Sequence, residues 1–313
     1  MKTMLHPELA HKKIFLTGGT GFFGKSILAA LKSGLLPETE FIILSRDPQA
    51  FCGQYPELTG RPNVRFHAGD VRDFTFPGEK FDIVFHAATP AVTTLPPGEM
   101  RSIIIDGTRR VLDFCKTCGA EKLMMTSSGA VYGVQPPEVA NIPEDHSCNP
   151  VTEYGIAKLE AEKMCVDSGI YTLLPRCFAF CGEYLPLDIH FAIGNFIRDG
   201  LQGKNITIQG DGRPYRSYMA ADDLVHWLFT ILARGEHARP YNVGSPDGLS
   251  IAELARKVAA HFSPAPQVTI AQTPGNGPAP RYVPDVSRAR RELGLTLQTP
   301  LDECIRQVIA FHR

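Results

Sequence analysis

The chain has 313 residues, with 32 Lys and Arg against 33 Asp and Glu and a net charge of −1. That balance excludes a broad electrostatic footprint for nucleic acid or an anionic membrane, so an anionic ligand must be held by local groups. No apolar run is long enough for a membrane span, Met1–Lys13 lacks a signal-peptide core, and the eight cysteines read as reduced thiols, so a cytoplasmic protein is expected.

The first element, Lys13–Thr17, reads as a buried strand and runs into Gly18-Gly19-Thr20-Gly21-Phe22-Phe23-Gly24. A helix, Phe22–Ser33, follows. Both G-x-G-x-x-G and G-x-x-G-x-x-G spacings are present. Between a strand and a helix, such glycines let the backbone approach a pyrophosphate, which the helix N-terminus then attracts. Gly18, Gly21, Phe22, Phe23 and Gly24 are therefore candidate cofactor-binding residues. The next strand, Phe41–Ser45, ends in Ser45-Arg46-Asp47. An NAD site usually carries an acid here, about twenty residues on, for the ribose 2′-hydroxyl. Ser45 and Arg46 can instead bind a 2′-phosphate by charge-assisted hydrogen bonds. NADP(H) is favoured over NAD(H), with the rival that Asp47 is the ribose acid displaced in register.

Strand Val64–Ala68 precedes Asp70-Val71, a candidate adenine contact whose alternative is a helix cap. Strand Phe81–His86 precedes Ala87-Ala88-Thr89, whose small side chains let a dinucleotide lie against the backbone. His86 itself reads as a core histidine. In the helix Met100–Cys118, Cys115-Lys-Thr-Cys118 has no second C-x-x-C partner and reads as packing thiols. Strand Lys122–Ser127 leads to Ser128. Helix Thr152–Ser168 then places Tyr154 and Lys158 on one face, and strand Tyr171–Arg176 follows. A free phenol titrates near 10. A nearby ammonium favours its ionised form and tunes it to exchange a proton with a substrate oxygen. Ser128 can hydrogen-bond the same oxygen, although Thr126 and Ser127 leave open which hydroxyl points inward.

The alternation predicts an α/β fold, a Rossmann doubly wound parallel sheet, over residues 1–176. Beyond it the pattern is rich in Pro and Gly, with helices at Ala221–Arg234, Ile251–His261, Val286–Leu293 and Leu301–Phe311. Residues 177–313 read as a smaller, discontinuous C-terminal substrate lobe over the ligand-binding edge of the sheet. Within 215–244, Tyr215–Met219 and Tyr241–Gly244 are expected to rejoin the main sheet.

With these residues in place the chain resembles the extended short-chain dehydrogenase/reductase family of nucleotide-sugar epimerases, dehydratases and reductases. The resemblance spans nearly the whole length. It rests on Thr17–Gly24, Asp70, His86–Ala88, Ser127-Ser128-Gly129-Ala130-Val131-Tyr132-Gly133, Tyr154–Lys158, Arg176, and Arg216-Ser217-Tyr218 before Asp222-Asp223. It implies a Ser128, Tyr154, Lys158 triad, with Tyr154 and Lys158 also touching the cofactor. It further implies Arg216 on the substrate diphosphate and a homodimer through the two helices starting at Met100 and Thr152. Sugar dehydratases of the family carry Asp-Glu where this chain has Gly129 and Ala130, which disfavours dehydration. Ala179 and Ile104 replace Asn residues usual in the family. The stretch Phe178–Gly182 with Leu185–Phe196 looks like the branch containing 4-keto-6-deoxyhexose reductases of surface-polysaccharide synthesis. Asn195 is taken as a substrate contact, with Asp188, His190 and Arg281 as further neighbours, and the alternative for each is a loop-stabilising role.

The expected chemistry is NADPH-dependent reduction of a nucleotide-linked 4-keto-6-deoxyhexose. The alternative is NAD(P)-dependent 4-epimerisation of a nucleotide sugar. A non-catalytic dinucleotide sensor is the remote third reading; it predicts loss of triad members, and all three are present. No metal, nucleic acid or membrane partner is expected.

Overall fold

The structure, a computed structural model, describes residues 6–90, 95–96, 98–189 and 191–313. His190 lies outside the described residues.

Seven strands come first in the chain: β1 (Lys13–Thr17), β2 (Glu40–Ser45), β3 (Val64–Ala68), β4 (Ile83–His86), β5 (Lys122–Met125), β6 (Ser127–Ser128) and β7 (Tyr171–Cys177). The C-terminal part adds β8 (Phe180–Cys181), β9 (Ile206–Ile208), β10 (Tyr215–Arg216), β11 (Met219–Ala220), β12 (Pro240–Val243), β13 (Leu249–Ser250), β14 (Val268–Ile270) and β15 (Arg281–Tyr282). The main sheet has the order β12-β7-β5-β4-β1-β2-β3, with β6 set against β7. Its pairings are parallel. This is the Rossmann-like α/β fold that the alternation predicted.

A sheet of this kind is buried on both faces, and alternate residues of each strand serve opposite faces. Ile14 and Leu16 pack into one apolar cluster and Phe15 into the other. Phe41 and Ile43 divide from Ile42 and Leu44 in the same way. The first face is covered by α1 (Phe22–Lys32) and, later in the chain, by Ala221–Arg234, whose Trp227 is fully buried and donates to the Thr296 carbonyl at 3.2 Å. After α2 (Pro48–Gln54), the second face is covered by α3 (Glu99–Cys118) and α4 (Glu153–Asp167). Cys115 and Cys118 lie buried in α3 as free thiols. The strand order reverses between β1 and β4, the place where open α/β sheets bind ligands beyond their carboxyl ends.

The remaining helices are α5 (Ala192–Leu201), α6 (Ala221–Arg234), α7 (Ile251–Ala259), α8 (Ser287–Leu293) and α9 (Leu301–Phe311). Of the segment expected to rejoin the main sheet, only Pro240–Val243 does so, beside β7. Tyr215–Met219 does not: β10 is the centre of a separate three-stranded sheet, β13-β10-β15, and β11 pairs β8. Helix α5, which carries Gly194 and Gly200, was not among the helices expected from the sequence. A Cβ at Gly194 would lie 2.8 Å from the Pro186 carbonyl oxygen, and one at Gly200 would lie 2.2 Å from the Phe262 ring. These glycines serve close packing rather than a turn. Among the described residues, no helix is long and apolar enough to cross a membrane.

Candidate active site

The glycine loop is pressed against the end of β4. Gly18 has φ +75°, and a Cβ there would sit 2.5 Å from the Ala87 carbonyl group and 2.7 Å from the Ala88 nitrogen. Gly24 meets Gly19 with similar closeness, at 2.1 Å. Gly21 is the N-cap of α1 and no side chain caps that helix, so its first-turn N–H groups and positive dipole are left for an anion. Phe22 and Phe23 open the helix and turn their rings toward Phe180, at 6.5 and 5.3 Å. A backbone cradle that a Cβ would fill, facing an uncapped helix start, fits a dinucleotide pyrophosphate.

The loop is braced by a buried hydrogen-bonded chain. Ala88 N–H donates to Thr17 Oγ1 at 3.2 Å, and Thr17 Oγ1 lies 2.8 Å from His86 Nδ1. His86 Nε2 reaches Thr108 Oγ1 at 3.2 Å, and that hydroxyl donates to the Ile104 carbonyl at 2.6 Å. Because Thr108 gives its proton to Ile104, it accepts from Nε2–H, which leaves Nδ1 to accept from Thr17. Burial, then the charge of Lys158, lowers the His86 pKa to about 3, so the ring is neutral. His86 is a core histidine that fixes strand ends.

At the end of β2, Ser45 is buried and Arg46 exposed. The Asp47 carboxylate accepts from Ala50 N–H at 2.9 Å as the N-cap of α2. Asp70 is held by Arg72 in a two-pronged ion pair, at 2.8 and 3.2 Å, and also accepts the Arg72 backbone N–H. Arg72 first of all, with Arg46 further off, keeps this carboxyl below its ordinary range. Val71 is buried against Gly107 of α3.

Ser128, Tyr154 and Lys158 come together from β6 and α4. Thr152 caps α4 by accepting from Gly155 N–H at 3.1 Å. A Cβ at Gly155 would lie 2.6 Å from the Ala130 carbonyl oxygen, so the helix start sits directly on the turn after Ser128. Of the three candidate hydroxyls, Thr126 donates to the His86 carbonyl at 3.2 Å, and Ser127 is buried without a hydrogen-bond partner. Ser128 accepts from Ala130 N–H at 3.1 Å and lies close enough to Tyr154 to bear on its pKa. The Lys158 ammonium donates to Thr89 Oγ1 at 2.6 Å and the Thr126 carbonyl at 2.8 Å, with its nitrogen 6.0 Å from the centre of the Tyr154 ring. Burial lowers the Lys158 pKa to about 8. Burial raises Tyr154 to about 12, partly offset by Ser128. The expected depression of the phenol by the ammonium is therefore not what this environment produces. The chain alone holds Tyr154 protonated.

Gly129 and Ala130 carry no carboxylate, and the space where a side chain at 129 would begin is taken by the Phe178 ring, 2.6 Å from the ideal Cβ. Stacked on Phe178, with ring centres 4.6 Å apart, is Tyr282, which sequence reasoning missed. Its only sequence signal was its place in a two-residue strand among prolines. Arg216 pairs with Tyr282 in the register of β10 and β15, lies 5.8 Å over its ring, and donates to the Tyr215 carbonyl at 2.8 Å. Arg281 donates to the Ala140 carbonyl at 3.3 Å and lies 4.4 Å over the Tyr215 ring. The Asn195 side chain accepts from Arg198 at 2.9 Å, within its own helix. Asp188 is exposed. Asp223, downstream of Arg216, accepts the backbone N–H groups of Gln298 and Thr299 and ties down the loop before α9.

UDP-glucuronic acid decarboxylase 6 of Arabidopsis thaliana is 27% identical to the chain, over 94% of the chain and 87% of that protein. In structure, UDP-glucose 4-epimerase of Thermotoga maritima, solved with UDP-glucose, superposes with a TM-score of 0.82 at 21% identity, covering 96% of this chain and 98% of the other. The dTDP-glucose 4,6-dehydratase of Bacillus anthracis, solved with NAD, gives a TM-score of 0.80 at 16% identity, covering 96% of each chain. These relatives are a decarboxylase, an epimerase and a dehydratase by name, so the narrower likeness to ketosugar reductases is not what they display. A family model matches residues 14–244, from the first strand through β12, and the chain belongs to the NAD dependent epimerase/dehydratase family.

Proposed function

We propose that the protein reduces a nucleotide-linked 4-keto-6-deoxyhexose with NADPH. The observation that carries the reading is that Ser128 and Lys158 both neighbour Tyr154, with no carboxylate at positions 129 and 130. When bound in the cradle, a reduced nicotinamide dinucleotide supplies the hydride. Ser128 and Tyr154 hydrogen-bond the ketone oxygen and polarise its carbon. Tyr154, kept protonated by burial, gives its proton to that oxygen as it becomes an alkoxide. Lys158 is fixed by Thr89 and the Thr126 carbonyl, with its nitrogen 6.0 Å from the centre of the Tyr154 ring, where it is available to hold the cofactor ribose. A phenol that rests as an acid suits reduction.

NADP(H) over NAD(H) is supported by the end of β2. Asp47 is occupied as a helix cap, which leaves Ser45 and the exposed Arg46 to meet the ribose substituent. We assign the adenosine side to Asp70 and Val71, the backbone near nicotinamide to Ala87 and Ala88, and the substrate diphosphate to Arg216. Asn195, engaged by Arg198, is the weaker substrate contact. Helices α3 and α4, packed together with Arg101 bonded to Glu160 at 2.6 Å, are the surface for a homodimer. Ile156 of α4 is 46% exposed there and neighbouring Val151 65%.

The second reading is 4-epimerisation of a nucleotide sugar by the same three groups, favoured by the epimerase likeness in structure. Titration with NADPH and NADH, followed by a nucleotide-4-keto-6-deoxyhexose, separates the two. Loss of NADPH absorbance in proportion to substrate supports reduction. Protein that purifies with NAD and turns over without net oxidation overturns it in favour of epimerisation.

A further inference from the structure

We propose that Thr89 is a positioning residue for Lys158: its hydroxyl takes one of the three ammonium N–H groups, so that a single N–H in a fixed direction is left for the cofactor ribose. This rests on the reading of Lys158 as the residue that holds the ribose, and it is the same for reduction and epimerisation.

A lysine carries three donors on a tetrahedral nitrogen at the end of a flexible four-carbon stem. In water those donors rotate. Lys158 is buried, and two acceptors grip its nitrogen: Thr89 Oγ1 at 2.6 Å and the Thr126 carbonyl at 2.8 Å. Two hydrogen bonds and the bond to Cε account for three corners of the tetrahedron. The remaining N–H can point only to the fourth. The two acceptors come from neighbouring strands. Thr126 follows β5, and Thr89 lies three residues past His86, the last residue of β4; the register sets His86 opposite Met125. The ammonium therefore bridges the carboxyl ends of β4 and β5.

Both arms of this grip are anchored at His86. Its carbonyl accepts the Thr126 N–H at 3.0 Å and the Thr126 hydroxyl at 3.2 Å. Its ring lies 2.8 Å from Thr17 Oγ1, which takes the N–H of Ala88, the residue before Thr89. The residue type matters as well. A hydroxyl at position 89 accepts from the ammonium without carrying charge. A carboxylate there would pair with Lys158 and compete with the ribose for it. Glu162, the carboxylate one turn further along α4, does not compete, because Arg176 holds both its oxygens at 2.8 and 3.0 Å. Thr89 is only half-buried, so its hydroxyl stands at the edge of the cleft and reaches in to the lysine.

The test compares Thr89→Val, which keeps the shape without the acceptor, with Thr89→Ser, which keeps the acceptor, both in the full chain. NADPH affinity is read by calorimetry from pH 7 to pH 10, above the titration of the 2′-phosphate at roughly 6. The groups facing the ammonium in that window are Tyr154, Glu162 and Cys165 of α4, Cys177 of β7 and His86 of β4. Tyr154, Cys165 and Cys177 are raised to about 12, the His86 ring is neutral, and Glu162 is paired with Arg176. Loss of affinity with rising pH therefore reports Lys158, with a wild-type midpoint of about 8. Removing an acceptor from a buried ammonium disfavours its charged form. Thr89→Val is expected to weaken NADPH binding about tenfold at pH 7 and to move the midpoint about one unit lower. Thr89→Ser is expected to keep the wild-type value of both. A Thr89→Val protein in which either quantity stays at its wild-type value overturns the inference, as does a Thr89→Ser protein impaired as much as Thr89→Val. Lys158→Met that binds NADPH as tightly as wild type at pH 7 overturns instead the reading of Lys158 as the holder of the ribose. If Thr89→Val lowers Tm by more than a few degrees, Thr89→Ala takes its place and is judged by the same outcomes.

Discussion

Replacing Lys158 by Met separates the charge required for chemistry from the charge the fold would do better without. The ammonium is 4% exposed and its pKa falls from 10.5 to about 8, chiefly through burial. The folded pKa lies below the unfolded one, so between those values the unfolded chain binds more protons. Stability contributed by this group is therefore lowest below pH 8 and is recovered as pH rises toward 10.5. The full difference of 2.5 pKa units corresponds to about 3 kcal/mol, most of it gained between pH 7 and 10. Cys165 and Cys177, raised to about 12 by burial, stay neutral in that window. Urea unfolding of wild type and Lys158→Met at pH 7 and pH 10 reads the effect. The wild-type free energy minus that of the variant is expected to rise by about 2 to 3 kcal/mol over that range. At pH 7 the variant loses the bonds to Thr89 and the Thr126 carbonyl, about 1 to 2 kcal/mol, but also the buried charge, so its Tm should match or exceed that of wild type. Activity should fall at least about a hundredfold. A difference that stays constant with pH, or a variant that is several kcal/mol less stable at pH 7, refutes the reasoning that this charge is held against its solvation.

Gly18→Ala forces a Cβ into the Ala87 backbone from a left-handed φ, so dinucleotide affinity by calorimetry should fall by at least about tenfold while the protein stays folded. Arg46→Asp removes the group proposed to meet the 2′-phosphate and adds a repelling charge. NADPH affinity should drop about 10- to 100-fold, with NADH little changed. Glu162→Ala leaves the Arg176 guanidinium, bound at 2.8 and 3.0 Å and 6% exposed, without its buried partner; urea denaturation should show a loss of about 3 to 5 kcal/mol.

Much of this site was legible because it depends on local spacing. The glycines of 18–24 follow a strand and open a helix, and Lys158 lies four positions after Tyr154 on α4, so chain geometry alone brings them into register with the sheet ends. The choice among Thr126, Ser127 and Ser128 was open from the residues by themselves and pointed to Ser128 only through the resemblance, because it depends on which hydroxyl the turn into Gly129 exposes and which one bonds back to β4. Tyr282 escaped for a different reason. It meets Phe178 from a two-residue strand far along the chain, too short for any periodic signal. The expectation for Tyr215–Met219 failed likewise: apolar residues there fit a strand, but its partners, β13 and β15, are themselves only two residues long. Helix α2 was not expected from the sequence, although Asp47 followed by Pro48 has the pattern of a helix start, and Asp47 does cap it.

The central claim, that the Tyr154 phenol delivers the proton to a carbonyl oxygen, is tested most directly by single-turnover oxidation of bound NADPH by a nucleotide-4-keto-6-deoxyhexose in wild type and Tyr154→Phe. The account predicts one NADPH consumed per ketosugar in wild type and a rate at least about a hundredfold lower in the variant, with NADPH affinity unchanged. Oxidation by Tyr154→Phe at the wild-type rate would contradict it.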